Sequence, residues 1–139
     1  LYPDFMFVMD DDLPRERTLQ IYRNHFEQIL IIILDNAVKY SLDRKEIHVS
    51  ISSNMKELEI AIQDFGEGIP VEDLQKVFNR FYRVDKARAR TKGGNGLGLS
   101  IAYQLLESYK GRITVESSLG QGTIFRIYVP IIKSEQNSY

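Results

Sequence analysis

The 139-residue chain contains no cysteine, which excludes a disulfide framework and a thiolate metal site and fits a reducing compartment. No apolar run approaches the ~20 residues that a membrane-crossing helix needs, and no secretory leader is expected within the chain. Charge of one sign is also missing: 18 Lys and Arg against 19 Asp and Glu leave a formal net charge of −1. Several familiar templates fail as well. Glycines at 94 and 96 begin a dinucleotide fingerprint, but its third position is Leu99, and no G-x-x-x-x-G-K-[ST] loop exists. Asp64-Phe65-Gly66 has neither an H-R-D segment upstream nor an A-P-E segment downstream. A Rossmann domain, a P-loop enzyme and a Ser/Thr kinase lobe are therefore set aside.

What remains has the composition of an ordinary globule, 43% hydrophobic and 27% charged. One domain of this length buries about two thirds of its unfolded surface. The charge is unevenly spread, because Arg80, Arg83, Lys86, Arg88, Arg90 and Lys92 crowd one segment against Asp85 alone. A basic stretch beside a glycine run points to a polyphosphate ligand rather than to nucleic acid. The chain opens on Leu1, directly in strand-like sequence, and is expected to be a piece of something longer.

Alternation and turn residues predict strands over Asp4–Met9, Thr18–Tyr22, Ile47–Ile51, Leu58–Ile62, Ile113–Val115 and Thr123–Val129, with a hairpin turn at Asn54-Met55-Lys56. Asp10 to Pro14 reads as a turn. Asn24 with Glu27 three residues on predicts a capping box, and Phe26, Leu30, Ile33 and Ala37 trace the buried face of the helix that follows. A short helix is predicted from Val71 to Phe78. A longer one is predicted from about Gly96 to Tyr109, closed by Gly111 at the C′ position. The expected fold class is α+β: a two-layer α/β sandwich with helices on one face of a mixed, largely antiparallel sheet. The domain is expected to span residues 1–132, with a polar tail over 133–139.

Three segments carry candidate chemistry. In Lys92-Gly93-Gly94-Asn95-Gly96-Leu97-Gly98-Leu99-Ser100, glycines run straight into helical periodicity. Backbone N–H groups can then approach an anion at a helix N-terminus; a hinge before an ordinary helix reads equally well from the glycines alone. Asn36, Lys39 and Tyr40 share a helix face. They offer an amide oxygen for Mg²⁺, an ammonium for a phosphate and a ring for a base, or simply a solvated edge. Asp64-Phe65-Gly66-Glu67-Gly68-Ile69-Pro70 ends a strand. Asp64 there can accept from an exocyclic amine while Gly66 and Gly68 admit a ring close to the backbone, or it can merely accept local N–H groups in a turn.

Taken together in this order, the segments resemble the ATP-binding catalytic domain of bacterial sensor histidine kinases, within the gyrase/Hsp90/MutL-like ATPases. Leu34-Asp35-Asn36-Ala37-Val38-Lys39-Tyr40-Ser41 looks like the N box, Asp64 to Gly68 the first glycine box, and Phe78-Asn79-Arg80-Phe81-Tyr82-Arg83 the F box. Gly94 to Leu99 looks like the second glycine box, and Gly120-Gln121-Gly122-Thr123-Ile124-Phe125 the closing strand. The resemblance implies a Bergerat-type fold and the cofactors ATP and Mg²⁺. By it Asn36 holds the metal, and Lys39 and Arg83 contact phosphates, these three being the catalytic set. Asp64 reads adenine, helped by Thr123, with packing from Tyr40 and Ile69. Gly66, Gly68, Gly94, Asn95, Gly96, Leu97, Gly98 and Leu99 complete the implied nucleotide site. A lid runs from about Arg83 to Asn95, with Phe78 and Phe81 anchoring its base.

The implied activity is transfer of the γ-phosphoryl group to a histidine on a separate helical phosphoacceptor domain, and through it to a response regulator. The parent is expected to be a dimeric, membrane-anchored bacterial sensor, with this piece monomeric and cytoplasmic. Two features depart from the pattern. Ile32 stands one turn before Asn36, where relatives carry a second asparagine or, in hydrolytic members, a catalytic glutamate. His25 and His48, the two histidines, lie outside a phosphoacceptor setting and are expected to pack or face solvent. A serine kinase of the anti-sigma-factor type and a non-catalytic nucleotide-sensing module are the alternatives.

Overall fold

The structure, a computed structural model, describes residues 4–12, 18–80, 82 and 98–132. The turn expected over Asp10 to Pro14 is corrected in its first half: Asp10 to Asp12 continue the first strand, paired in parallel with Ser50 to Ser52. Leu13 and Pro14, the lid and the polar tail over 133–139 lie outside the described residues, as do Arg83, Gly94, Asn95, Gly96 and Leu97. The elements run β1 (Met6–Asp12), β2 (Thr18–Leu19), α1 (Arg23–Lys39), β3 (Glu46–Ser53) and β4 (Glu57–Asp64). A 3₁₀ turn (Val71–Asp73), α2 (Gly98–Ser108), β5 (Arg112–Ser118) and β6 (Gly122–Ile132) follow.

The sheet order is β1-β3-β4-β6-β2, with β5 also on β6. Among the described residues the β1–β3 pair is parallel and the other four pairings are antiparallel. Asn54 sets the β3–β4 register, because its Oδ1 accepts the N–H groups of Lys56 at 2.7 Å and Glu57 at 2.9 Å. Alternation then turns Leu58, Ile60 and Ile62 of β4 and Phe125, Ile127 and Val129 of β6 to one face, where all are buried. The two helices cover that face through Ile29, Ile33, Ala37, Ala102 and Leu106, each no more than 1% exposed. Each large side chain here contributes roughly 1.5–3 kcal/mol of burial.

Four further local expectations need correction. No capping box forms: α1 begins at Arg23 with Tyr22 as an extended N-cap that makes no side-chain cap, and Asn24 lies inside the first turn. Tertiary contact replaces the cap, since Tyr109 Oη at the end of α2 bonds His25 Nδ1 at 2.6 Å and accepts the Tyr22 N–H at 3.4 Å. The buried stripe of α1 centres on Ile29, Ile33 and Ala37, with Phe26 and Leu30 half-buried beside it, because the helix packs on both β4 and α2. The short helix over Val71–Phe78 is instead a 3₁₀ turn continued by i→i+3 bonds, Asp73 to Lys76 at 2.9 Å and Lys76 to Asn79 at 2.9 Å. Gly111 is not the left-handed C′ residue; Lys110 is, at φ 63°, and Gly111 is glycine because a Cβ would lie 2.3 Å from the Tyr128 carbonyl oxygen.

Candidate functional site

At one end of the sandwich a cleft opens between the end of α1, the loop after β4 and the start of β6. The register of β4 against β6 pairs Asp64 directly with Thr123, and both side chains fall on the helix-covered face, 3% and 6% exposed. Asp64 Oδ1 accepts the Gly66 N–H at 2.9 Å. Burial pushes the Asp64 carboxyl up to about 6; the backbone N–H groups of Gly66 and Thr123 oppose the shift, and the nearby Glu67 charge adds to it. A buried acid with its charge only partly compensated is a binding-site feature.

The loop is seated by close backbone approaches. A Cβ on Gly66 would lie 2.0 Å from the Tyr40 carbonyl oxygen, and one on Gly122, at φ 111°, would lie 2.1 Å from the Asp64 carbonyl oxygen. Gly68, at φ 78°, meets the Ser118 carbonyl at 2.2 Å in the same sense. The Glu67 N–H donates to the Tyr40 carbonyl at 3.2 Å, and the Gly120 N–H to the Glu67 carbonyl at 2.9 Å. Thus α1, the β4 loop and the β5–β6 turn are stitched into one wall. Asn36 and Tyr40 reach the cleft from α1, Gly68 and Ile69 from the loop, Leu99 from α2, and Thr123 from β6.

The structure brings these six together with Asp64, as the sequence predicts. Lys39, Gly66 and Gly98 do not line the cleft. Lys39 Nζ lies 3.4 Å from Asp35, Gly66 serves the loop–helix contact rather than a ring, and Gly98 sits beside Ile32, whose Cγ2 would lie 3.4 Å from an added Cβ. Glu67, Val77 and Tyr82 also line the cleft, and sequence reasoning did not select them. Glu67 and Tyr82 fall inside motifs already singled out; Val77 carries no signal beyond being apolar. Burial, then the Asp73 carboxylate, pushes the Tyr82 hydroxyl up. Phe78 anchors as expected, its ring 5.4 Å from Tyr103 and 6.1 Å from Phe125. Phe81 lies outside the described residues.

The cleft encloses about 50 Å³, room for the edge of a ring, so a larger ligand must extend beyond it. A second depression, about 860 Å³ between β2, the start of α1 and the ends of α2 and β6, carries one charged side chain, Lys110, and none of the predicted residues. Among the described residues no group of three or more His, Cys, Asp or Glu could hold a metal ion. An amide oxygen such as that of Asn36 suits Mg²⁺ when most other ligands are phosphate oxygens and water. Neither histidine faces the cleft: His25 holds Tyr109, and His48 bonds Glu46 at 3.1 Å with its ring edge-on to Phe65 at 4.9 Å.

The sequence model of the family described as histidine kinase-, DNA gyrase B- and HSP90-like ATPases matches residues 22–133, and so contains every residue of this wall. The chain belongs to this family. It is 48% identical over 127 residues to the signal transduction histidine-protein kinase ArlS of Staphylococcus haemolyticus, covering 91% of this chain and 28% of that protein. The ArlS protein of Staphylococcus aureus strain USA300 is 44% identical over 128 residues, with 91% and 28% covered. The chain therefore spans little more than a quarter of these relatives. Among solved structures, the mycobacterial sensor histidine kinase MprB superposes with a TM-score of 0.76 at 27% identity, covering 90% of this chain and 84% of that one. Full-length ShkA in complex with AMPPNP shares the fold at a TM-score of 0.74 and 23% identity, with 92% and 26% covered. The α+β sandwich of this ATPase family is thus the fold of this chain. No helix among the described residues is long and apolar enough to cross a membrane.

Proposed function

We propose that the chain is the nucleotide-binding half of a sensor histidine kinase, binding Mg²⁺-ATP and presenting its γ-phosphoryl group to a histidine on a separate helical domain. The observation that carries this reading is the Asp64–Thr123 pair at the floor of a cleft that Asn36 also lines. Asp64 accepts from the adenine amino group, Tyr40 and Ile69 hold the ring, and Asn36 orients the metal through its amide oxygen. Mg²⁺, when bound with the nucleotide, neutralises phosphate charge. Lys39 and Arg83 are the proposed phosphate contacts, Lys39 leaving Asp35 to act, and Gly94 to Gly98 the proposed backbone cradle. Little covalent work falls to the protein in phosphoryl transfer, so positioning and charge dominate.

The names of the relatives support a role in signal transduction by a histidine kinase, and their lengths leave room for a separate phosphoacceptor domain; the wider reading is a dimeric, membrane-anchored parent sensor that passes the phosphoryl group to a response regulator. Calorimetric titration of the chain with ATP and Mg²⁺ tests the first step. Saturable 1:1 binding that Asp64→Ala abolishes is expected, and absence of heat at millimolar ATP contradicts the reading.

A further inference from the structure

Behind the cleft wall, on β5, the Ser117 hydroxyl uses its full bonding capacity. It accepts the Ile69 N–H at 2.7 Å and donates its single proton to the Gly122 carbonyl at 2.8 Å. Its third contact, 2.8 Å to Thr123 Oγ1, is then a hydrogen bond only with Thr123 as donor. The Thr123 proton therefore points away from the cleft, and only lone pairs remain on Oγ1 for a ligand. The Thr123 N–H is also committed, to the Asp64 carboxyl. Directly across the strand pair, an ionised Asp64 is an acceptor alone.

We propose that Ser117 is a positioning residue that sets base specificity: by taking the Thr123 proton it makes Asp64 and Thr123 a pair of acceptors, selecting a base with an exocyclic amino group and rejecting one with a carbonyl there. This rests on the nucleotide reading given above. An amino group supplies two N–H donors to the two acceptors. A carbonyl oxygen in the same place meets lone pairs on both sides, with no proton to relieve the contact.

The test uses three Mg²⁺-bound triphosphates that differ at the purine 6-position: ATP with an amino group, purine riboside triphosphate with hydrogen, and ITP with a carbonyl. Calorimetry at pH 8 keeps Asp64 ionised. The expected order is ATP tightest and ITP weakest. In Ser117→Ala the Thr123 proton loses its acceptor and turns to the ligand, so the ATP-to-ITP preference falls about tenfold. Ser117→Thr, which keeps a hydroxyl, restores it. A purely structural Ser117, holding Ile69 and Gly122 in place, would weaken all three ligands alike; an unchanged ratio in a Ser117→Ala variant that melts normally overturns the proposal. Should that variant not fold, the unaltered chain decides, because ITP binding as tightly as the unsubstituted purine means that the wall offers a donor. Failure to bind any of the three overturns the nucleotide reading itself, and this proposal with it.

Discussion

At the scale of the residue, Asp64 links the fold to the ligand. Its folded pKa of about 6 lies above the ordinary 3.8, so between these values the folded chain holds a proton that the unfolded chain has released. The contribution of Asp64 to the stability of the ligand-free protein is accordingly greatest below about pH 4 and is lost as pH rises to about 6, by up to about 3 kcal/mol. Asp64→Asn keeps the acceptor for Gly66 without the buried charge; it should be the more stable form at pH 7 and lose the slope. Urea unfolding of both forms from pH 4 to 8 checks this, and parallel stability curves would contradict it. Ile32 makes a second residue-level prediction, since it packs into the core beside Gly98 and offers no base from the turn before Asn36. Steady-state ATP hydrolysis by the chain alone should fall well below about 1 s⁻¹, the low end of ordinary turnover. Asp64 was legible in the sequence because a carboxylate ending an apolar strand stands out, and Thr123 only through the likeness of Gly120 to Phe125 to the family's closing strand. Val77 was not, because its place on the cleft depends on how the 3₁₀ segment folds back onto α2 and the sheet.

Elements were legible where their signals are local. Alternation in β3 and β4 and the Asn54 turn mark the hairpin without tertiary help, whereas the start of α1 is fixed by Tyr109, more than eighty positions away. The end of α2 shows the same limit: the glycine at 111 suggested a left-handed residue there, yet the conformation falls on Lys110 and the glycine answers to β6. Neighbouring substitutions should therefore act in opposite directions. Lys110→Gly relieves a left-handed side-chain residue and should stabilise the chain by about 0.5–1 kcal/mol. Gly111→Ala drives a methyl group into the Tyr128 carbonyl and should cost about 2 kcal/mol or more, the magnitude of backbone strain or core overpacking. Thermal melts of the two variants separate the assignments; a stabilised Gly111→Ala would reverse them.

For the whole molecule, the sandwich holds three distant segments against one another so that α1, the β4 loop and the β5–β6 turn make a single wall. Three of the five short motifs, those at Asn36 to Tyr40, Asp64 to Gly68 and Gly120 to Phe125, were enough to expect this arrangement, because each marks a place where backbones come close or a polar group faces the cleft. His25 and His48 are both held in contacts away from the cleft, and the proposed function accordingly places the phosphoacceptor histidine outside this domain. The measurement that tests this most directly is transfer from γ-labelled ATP, with Mg²⁺, to the helical domain of the same parent protein supplied as a separate chain. The account predicts label on that domain, stable to base and labile to acid as a phosphohistidine is, and its loss when Asn36 is changed to alanine. Label that resists acid, as a phosphoserine does, or label retained by Asn36→Ala, would contradict it.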